Sequence, residues 1–218
     1  RVQQLLGEEV RQQRVNEVLH ALARVVPRRP WSQWNTKRRL LNCANGMFCP
    51  QRRKLLPHDP SYYSTMQIPV AYESGTESTS VQEFLSDVLT EELIQLALMM
   101  MGYLLVPDLS ADKFFVLAGQ GGTGKTTFFE MFTGMLGPRN WAQVTLQDLA
   151  ENRFAAAKLE HKLVGAFDDL PATPMKDASR IKALTGGFPW LDVERKGQDA
   201  YRAPMYARLL FTANEIPG

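Results

Sequence analysis

The sequence predicts an α/β core with a mostly parallel sheet over residues 108–218, preceded by a mainly α-helical domain over residues 1–107. Three observations carry this. Apolar residues recur at helical spacing in the first hundred residues, short apolar runs alternate with helical segments after Lys113, and Gly119-Gln120-Gly121-Gly122-Thr123-Gly124-Lys125-Thr126 joins one such run to a helix in the form GxxxxGK[ST].

In the amino-terminal part, Val2, Leu5, Leu6, Val10, Val15, Val18, Leu19, Leu22 and Val26 describe one amphipathic helix, with Gly7 as its natural break and Pro27 and Pro30 ending it. Residues 31–75 are rich in turn formers, with Asn45-Gly46 marking a tight turn and Met66–Tyr72 a short extended piece. Ser80-Val81-Gln82-Glu83 has the form of a capping box, and Thr90 can cap a second helix running through Leu104. Met99-Met100-Met101 on that helix is expected to pack in the core.

From Phe114 to Ala118 an apolar run predicts a buried strand, and the glycine-rich loop follows at once. Small residues let backbone N–H groups curl around β- and γ-phosphates, Lys125 adds a point charge, and the Thr126 hydroxyl suits Mg²⁺. The helix that begins here, through Thr127 to Leu136, directs its N-terminal dipole at the same anion and stops at Gly137-Pro138. This pattern belongs to a P-loop NTPase core, and it makes Gly119 to Thr127 the expected cradle for ATP.

Further along, Trp141–Thr145, Leu163–Phe167 and Arg208–Ala213 are predicted strands. Thr145-Leu146-Gln147-Asp148 opens a helix to about Leu159. Asp168-Asp169 then emerges where a parallel strand ends, a Walker B arrangement. One carboxylate, most simply Asp168, would hold the Mg²⁺ shell, and the other, Asp169, would orient and polarise the attacking water. Asn214 ends the last strand and can hydrogen-bond that water or the γ-phosphate. Ile181–Gly187 is a helix ending in glycine, and Leu191–Glu194 with Tyr201–Tyr206 form a hairpin that presents Arg195 and Lys196 for backbone phosphate contacts.

The composition, 44% hydrophobic and 22% charged over 218 residues, is that of an ordinary soluble protein, and no run of about 18 apolar residues occurs. With Arg1-Val2-Gln3-Gln4 unlike a signal peptide, a cytosolic protein is expected, and the missing initiator Met suggests a fragment. Cys43 and Cys49 lack zinc-site spacing and are expected to be small buried hydrophobes. The net charge of +2 conceals a division: residues 1–60 hold 12 Lys/Arg against 4 Asp/Glu, whereas residues 61–110 hold none against 7. The basic clusters Arg28-Arg29, Lys37-Arg38-Arg39 and Arg52-Arg53-Lys54, with Trp31 and Trp34 between them, suit phosphates and stacked bases. Equally, the basic segment can pair with the acidic one that follows.

The order of phosphate loop, Asp168-Asp169, Lys182, basic hairpin and Asn214 resembles the A, B, B′ and C motifs of the superfamily 3 helicases, an AAA+ branch. Upstream, Leu41–Gly46, Pro57-His58-Asp59-Pro60, Tyr63-Ser64-Thr65 and Met101-Gly102-Tyr103 are similar to the domain preceding the helicase in phage and plasmid primase-helicases, related to the poxvirus primase-helicase. The resemblance implies an AAA+-like core and a ring, usually a hexamer. It further implies ATP hydrolysis at subunit interfaces and 3′ to 5′ movement on single-stranded DNA in the host cytoplasm or nucleoid. Lys196 would then track DNA in the channel and Lys182 would serve the B′ motif, with a primase domain as a companion in the parent chain.

Three departures qualify it. Thr123 stands where many relatives have Asn, Phe188 stands where an acid is frequent, and the chain stops at Gly218, before the arginine finger and last core strand are expected. Poor hydrolysis by this fragment alone is therefore expected, since such fingers contribute roughly 10³ to 10⁵ in rate. A remodelling AAA+ ATPase and a nucleotide-regulated DNA-binding or assembly module are the competing expectations. No Asn-Lys-x-Asp base-reading sequence occurs, which argues against a GTPase.

Overall fold

The structure is a computed structural model, and it describes residues 12–26, 33–107, 111–174, 177–186 and 190–215. Its contacts divide the chain into two units, 1–33 and 34–218. In the first, helix α1 (Gln12–Val25) has Val15 buried and leaves Val18, Leu19, Leu22 and Val25 exposed. The expected helix over residues 2–26 lies outside the described residues up to Arg11, as do Trp31 and Arg28-Arg29.

The second unit begins with three short strands, β1 (Leu41–Cys43), β2 (Gly46–Cys49) and β3 (Lys54–Leu56), in an antiparallel meander. Sequence reasoning found the Asn45-Gly46 turn but not the strands around it. Gly46 is required because a Cβ there would lie 2.5 Å from the Leu56 carbonyl oxygen. Asn45 holds the Met66–Tyr72 stretch through two bonds at 2.9 Å, one from its Nδ2 to the Tyr72 carbonyl and one from the Tyr72 N–H to its Oδ1. Phe48 stacks on Tyr72 with centroids 3.9 Å apart.

Helix α2 (Thr79–Val88) starts two residues earlier than the sequence suggested. Ser78, not Ser80, is its N-cap, with the hydroxyl accepting the Val81 N–H at 3.4 Å. Helix α3 (Glu91–Leu104) begins after Thr90, whose side chain makes no capping bond, and Glu91 and Glu92 complement the dipole instead. The three consecutive methionines divide: Met100 is buried and Met101 partly so, but Met99 is 71% exposed, because adjacent helical positions point about 100° apart.

Four parallel strands form the centre: β4 (Phe115–Ala118), β5 (Trp141–Gln143), β6 (Val164–Phe167) and β9 (Arg208–Ala213), in the order β4-β9-β6-β5. Helix α4 (Lys125–Leu136) follows β4 and helix α5 (Leu146–Glu151) follows β5. Every residue of β9 is buried, as a central parallel strand requires. Alternation splits its side chains between two layers. Leu210 joins Ala166 against Phe128, Phe132, Leu136, Leu104 and Leu85, while Leu209 and Phe211 join Val144, Leu149, Leu159 and Ile181 on the other face.

The helix expected from Thr145 to Leu159 ends at Glu151. Asn152 accepts the Phe154 N–H through its side chain at 3.0 Å, an Asx turn that competes with helix, and a 3₁₀ turn at Ala155–Leu159 completes the stretch. Gly165 in β6 has no room for a methyl group, since a Cβ would lie 2.5 Å from Leu159 Cδ2 and 3.0 Å from Leu209 and Val144. Helix α6 (Ser179–Thr185) and the hairpin β7 (Trp190–Val193) and β8 (Tyr201–Pro204) complete this layer.

Candidate functional site

The carboxyl ends of β4, β6 and β9 meet at one edge of the sheet, where the chain leaves each strand for a loop. After β4 the Gly119 N–H donates to the Ala213 carbonyl at 3.2 Å, so the glycine loop starts tied to the end of β9. Gly122 and Gly124 adopt φ of +78° and +82°, a left-handed conformation that a side chain would strain. Gly124 is constrained twice, because a Cβ there would come within 2.8 Å of Val88 Cγ1 on α2. The last turn of α2 therefore packs directly on the loop. Thr123 braces it from inside, its hydroxyl donating to the Gln120 carbonyl at 2.9 Å.

Lys125 spans the loop. Its ammonium donates to the Gly119 carbonyl at 2.7 Å, the Gln120 carbonyl at 2.8 Å and Asn214 Oδ1 at 3.2 Å, which uses all three of its N–H donors. An anion entering the loop must replace at least one of these acceptors. Thr126 donates to Asp168 Oδ2 at 3.0 Å. Asn214 in turn donates to Asp169 Oδ1 at 3.0 Å, so Lys125, Asn214 and Asp169 form a continuous chain.

Thr212 closes the network from below. Its side chain is buried, its hydroxyl donates to Asp168 Oδ1, and its oxygen accepts the Asp169 N–H at 2.7 Å. Asp169 has φ of 59°, in the left-handed region, and that N–H bond helps to hold it there. Sequence reasoning missed Thr212. The available signal was a hydroxyl residue inside an otherwise apolar buried strand, two positions before Asn214.

Gly121 to Thr127, Asp168, Asp169, Thr212 and Asn214 line an open cleft of about 510 Å³. Gly119 and Gln120 stand behind it as acceptors for Lys125.

The basic residues predicted alongside do not line this cleft. Lys182 is exposed on α6; just before that helix, Asp177 accepts the Ser179 hydroxyl and N–H, which hold its carboxylate below the usual range. Lys196 is exposed at the tip of the β7–β8 hairpin, beside Gly197 at φ +76°. Arg195 is engaged elsewhere: its guanidinium donates to Glu160, whose side chain is only 5% exposed, and lies over the Tyr201 ring. Tyr201 donates to the same Glu160 oxygen at 2.7 Å, and burial, aided by Glu160, raises its phenol above the ordinary value. On the same side, Glu194 meets Arg153 at 3.3 Å. The loop end of the hairpin is thus latched to the segment between α5 and β6.

Two family models match the chain: one described as D5 N terminal like, over residues 2–90, and a family of unknown function, DUF5906, over residues 117–218. Among solved structures, the chain is similar to the A form apo structure of the NrS-1 C terminal region, with a TM-score of 0.54 and 15% identity over 65% of this chain and 35% of that one. A second apo structure of that region, residues 305–718, gives 0.49 and 15% over 64% and 34%, and a structure of JCV helicase with a bound acetamide compound gives 0.40 and 11% over 67% and 44%. The chain spans about a third of the length of the NrS-1 structures it matches. No helix among the described residues is long and apolar enough to cross a membrane. What these likenesses establish is the fold, a mixed α/β chain built on a parallel sheet and related in architecture to the NrS-1 C terminal region.

Proposed function

We propose that the chain is a P-loop ATPase core, AAA+-like, of a superfamily 3 type DNA helicase that serves replication of a phage, plasmid or mobile element. The observation that carries this is the convergence of five side chains from three strand ends, Lys125, Thr126, Asp168, Asp169 and Asn214, on one open cleft. Neither the glycine loop nor the acid pair alone would carry it.

The residues fit a nucleotide with Mg²⁺. The two left-handed glycines give a loop whose N–H groups sit at the start of a 12-residue helix, a combination suited to phosphate. Thr126 and Asp168 are already in contact, an alcohol and a carboxylate of the hard-oxygen type that Mg²⁺ takes. When bound, the metal would neutralise charge between the β- and γ-phosphates. Lys125 would leave its loop carbonyls for phosphate oxygens. Asp169, positioned by Thr212 and Asn214, would accept a hydrogen bond from the attacking water, and Asn214 would hold that carboxylate at the γ-phosphate side. In this reading Lys196, with Lys182 nearby in sequence, meets the phosphate backbone, and Arg195 supports the hairpin through Glu160. A ring of subunits and a primase companion complete the proposal.

The test is ATP hydrolysis with and without single-stranded DNA, on a chain extended beyond Gly218, with Lys125→Ala as the blank. Stimulation by DNA that vanishes in the blank is the expected result. Hydrolysis indifferent to DNA would point to a remodelling ATPase, and binding without hydrolysis to an assembly module; either would overturn the proposal.

A further inference from the structure

The basic cluster of the second unit is brought together by the strand register. Leu41 pairs with Phe48, and Cys49 pairs with Lys54, so the start of β1, the end of β2 and the start of β3 lie at the same end of the meander. Lys37-Arg38-Arg39 enter β1 at that end, and Arg52-Arg53-Lys54 leave the β2–β3 turn there. β1 and β3 flank β2, which sets the two triads roughly 10 Å apart, two strand spacings.

The turn is fixed rather than loose. Pro50–Arg52 forms a 3₁₀ turn, and Arg53 adopts φ of 48° with its N–H bonded to the Pro50 carbonyl at 3.2 Å. Cys49 and Met47 anchor it in the interior.

Charge at this end is uncompensated. From Gln33 to His58 the chain has six Lys/Arg and no Asp or Glu. Lys37, Arg39, Arg52, Arg53 and Lys54 are exposed, and among the described residues none of them makes an ion pair, so the acidic stretch 61–110 does not neutralise them. Arg38 differs: it is half-buried, with its guanidinium 5.2 Å over the ring of Tyr206, in the link between β8 and β9. That contact sets the basic end beside the root of the hairpin.

We propose that this basic end of the meander is a second, sequence-independent contact surface for the phosphate backbone of single-stranded nucleic acid. The proposal rests on the reading above in assigning it the same strand that the hairpin engages. Protein or membrane partners fit less well. Among the described residues 33–58 there is no exposed large hydrophobic side chain, whereas protein interfaces use apolar anchors and interfacial segments insert them.

The experiment is fluorescence anisotropy of a labelled single-stranded oligonucleotide of about 30 nucleotides, titrated from low to moderate salt. The parent chain is compared with Arg52→Ala/Arg53→Ala/Lys54→Ala, with Lys37→Ala/Arg39→Ala, with Arg52→Lys/Arg53→Lys and with Lys196→Ala. Three lost phosphate contacts should lower the magnitude of the log K against log salt slope by about 2, since each contributes about 0.7 on single strands. The double alanine variant should lower it by about half as much or more, and the lysine variant should retain the parent slope. Melting temperature and nucleotide binding should not change in any of the basic-end variants. An unchanged slope in both alanine variants, or binding of the parent to anionic lipid vesicles but not to the oligonucleotide, overturns the proposal. Loss of slope at the basic end with no effect of Lys196→Ala would leave this surface standing while removing the hairpin from the function proposed above.

Discussion

Thr212→Val is the most incisive single change at the site. The substitution is nearly isosteric and keeps β9 packed, but it removes one hydroxyl that both accepts the Asp169 N–H at 2.7 Å and donates to Asp168. Thr212 is 1% exposed, so no water takes the place of its hydroxyl within the sheet, although Asp169 itself faces solvent. The Asp169 N–H is only part-buried, so leaving it without a partner costs about 1 kcal/mol, the low end for such groups, and a hydrogen bond to a carboxylate contributes about 1.5–3 kcal/mol. Asp168 keeps Thr126 as a partner, which reduces the second figure, and a net loss of about 2–4 kcal/mol follows. For a chain of this size each kcal/mol is worth about 2–4 °C, so melting should fall by roughly 5–15 °C. Thr212→Ser retains the hydroxyl and should recover most of the loss. The assay is thermal melting with and without Mg²⁺ and nucleotide, and the increment given by Mg²⁺ should shrink in the valine variant alone. If Thr212→Val melts with the parent and gains the same increment, the hydroxyl does not hold the two aspartates and the account of the site is wrong.

Other perturbations probe the layers around it. Gly165→Ala should lower stability by about 1–3 kcal/mol through overpacking against Leu159, read from denaturant midpoints, and Leu159→Ala should partly rescue it. Glu160→Gln should free the loop end of the hairpin: hydrogen–deuterium exchange should rise over 190–204 with little change in the glycine loop, whereas equal exchange across both would mean the latch is not local. His161 is held below its ordinary titration range chiefly by burial, so the unfolded chain binds more protons on the acid side of 6.5. Stability should therefore fall as pH drops through 6.5 toward the folded value. His161→Asn, which tolerates the φ of 59° at this position, should flatten that limb of the melting-against-pH curve.

Much of the architecture was legible because its signals are local. The glycine loop, the strand before it and the helix after it occupy 23 consecutive residues, Phe114 to Leu136, and each part names its own conformation. The Leu163–Phe167 and Arg208–Ala213 runs were equally clear. The meander was not, because β1, β2 and β3 have only three or four residues each and acquire strand character from pairing with one another. Ser80 reads as a cap because Glu83 sits three residues later, yet the helix begins after Ser78. Thr212 and Glu160 were invisible for one reason: each acts on residues 35 to 44 positions away, across strands whose order no local pattern encodes. The charge runs were visible, but whether they neutralise one another depends on packing.

The strand order has a consequence for how such a chain is made. β4 and β6 do not pair with each other; each pairs with β9, which comes almost ninety residues after β4 along the chain. During synthesis, a nascent chain that has not yet extruded Arg208–Ala213 holds two unpaired strand edges and a glycine loop with no strand behind it. Closing a sheet across so long a loop is slow, and open edges are hazards for aggregation while it waits. The cleft is thus assembled only when β9 inserts between two strands that preceded it along the chain.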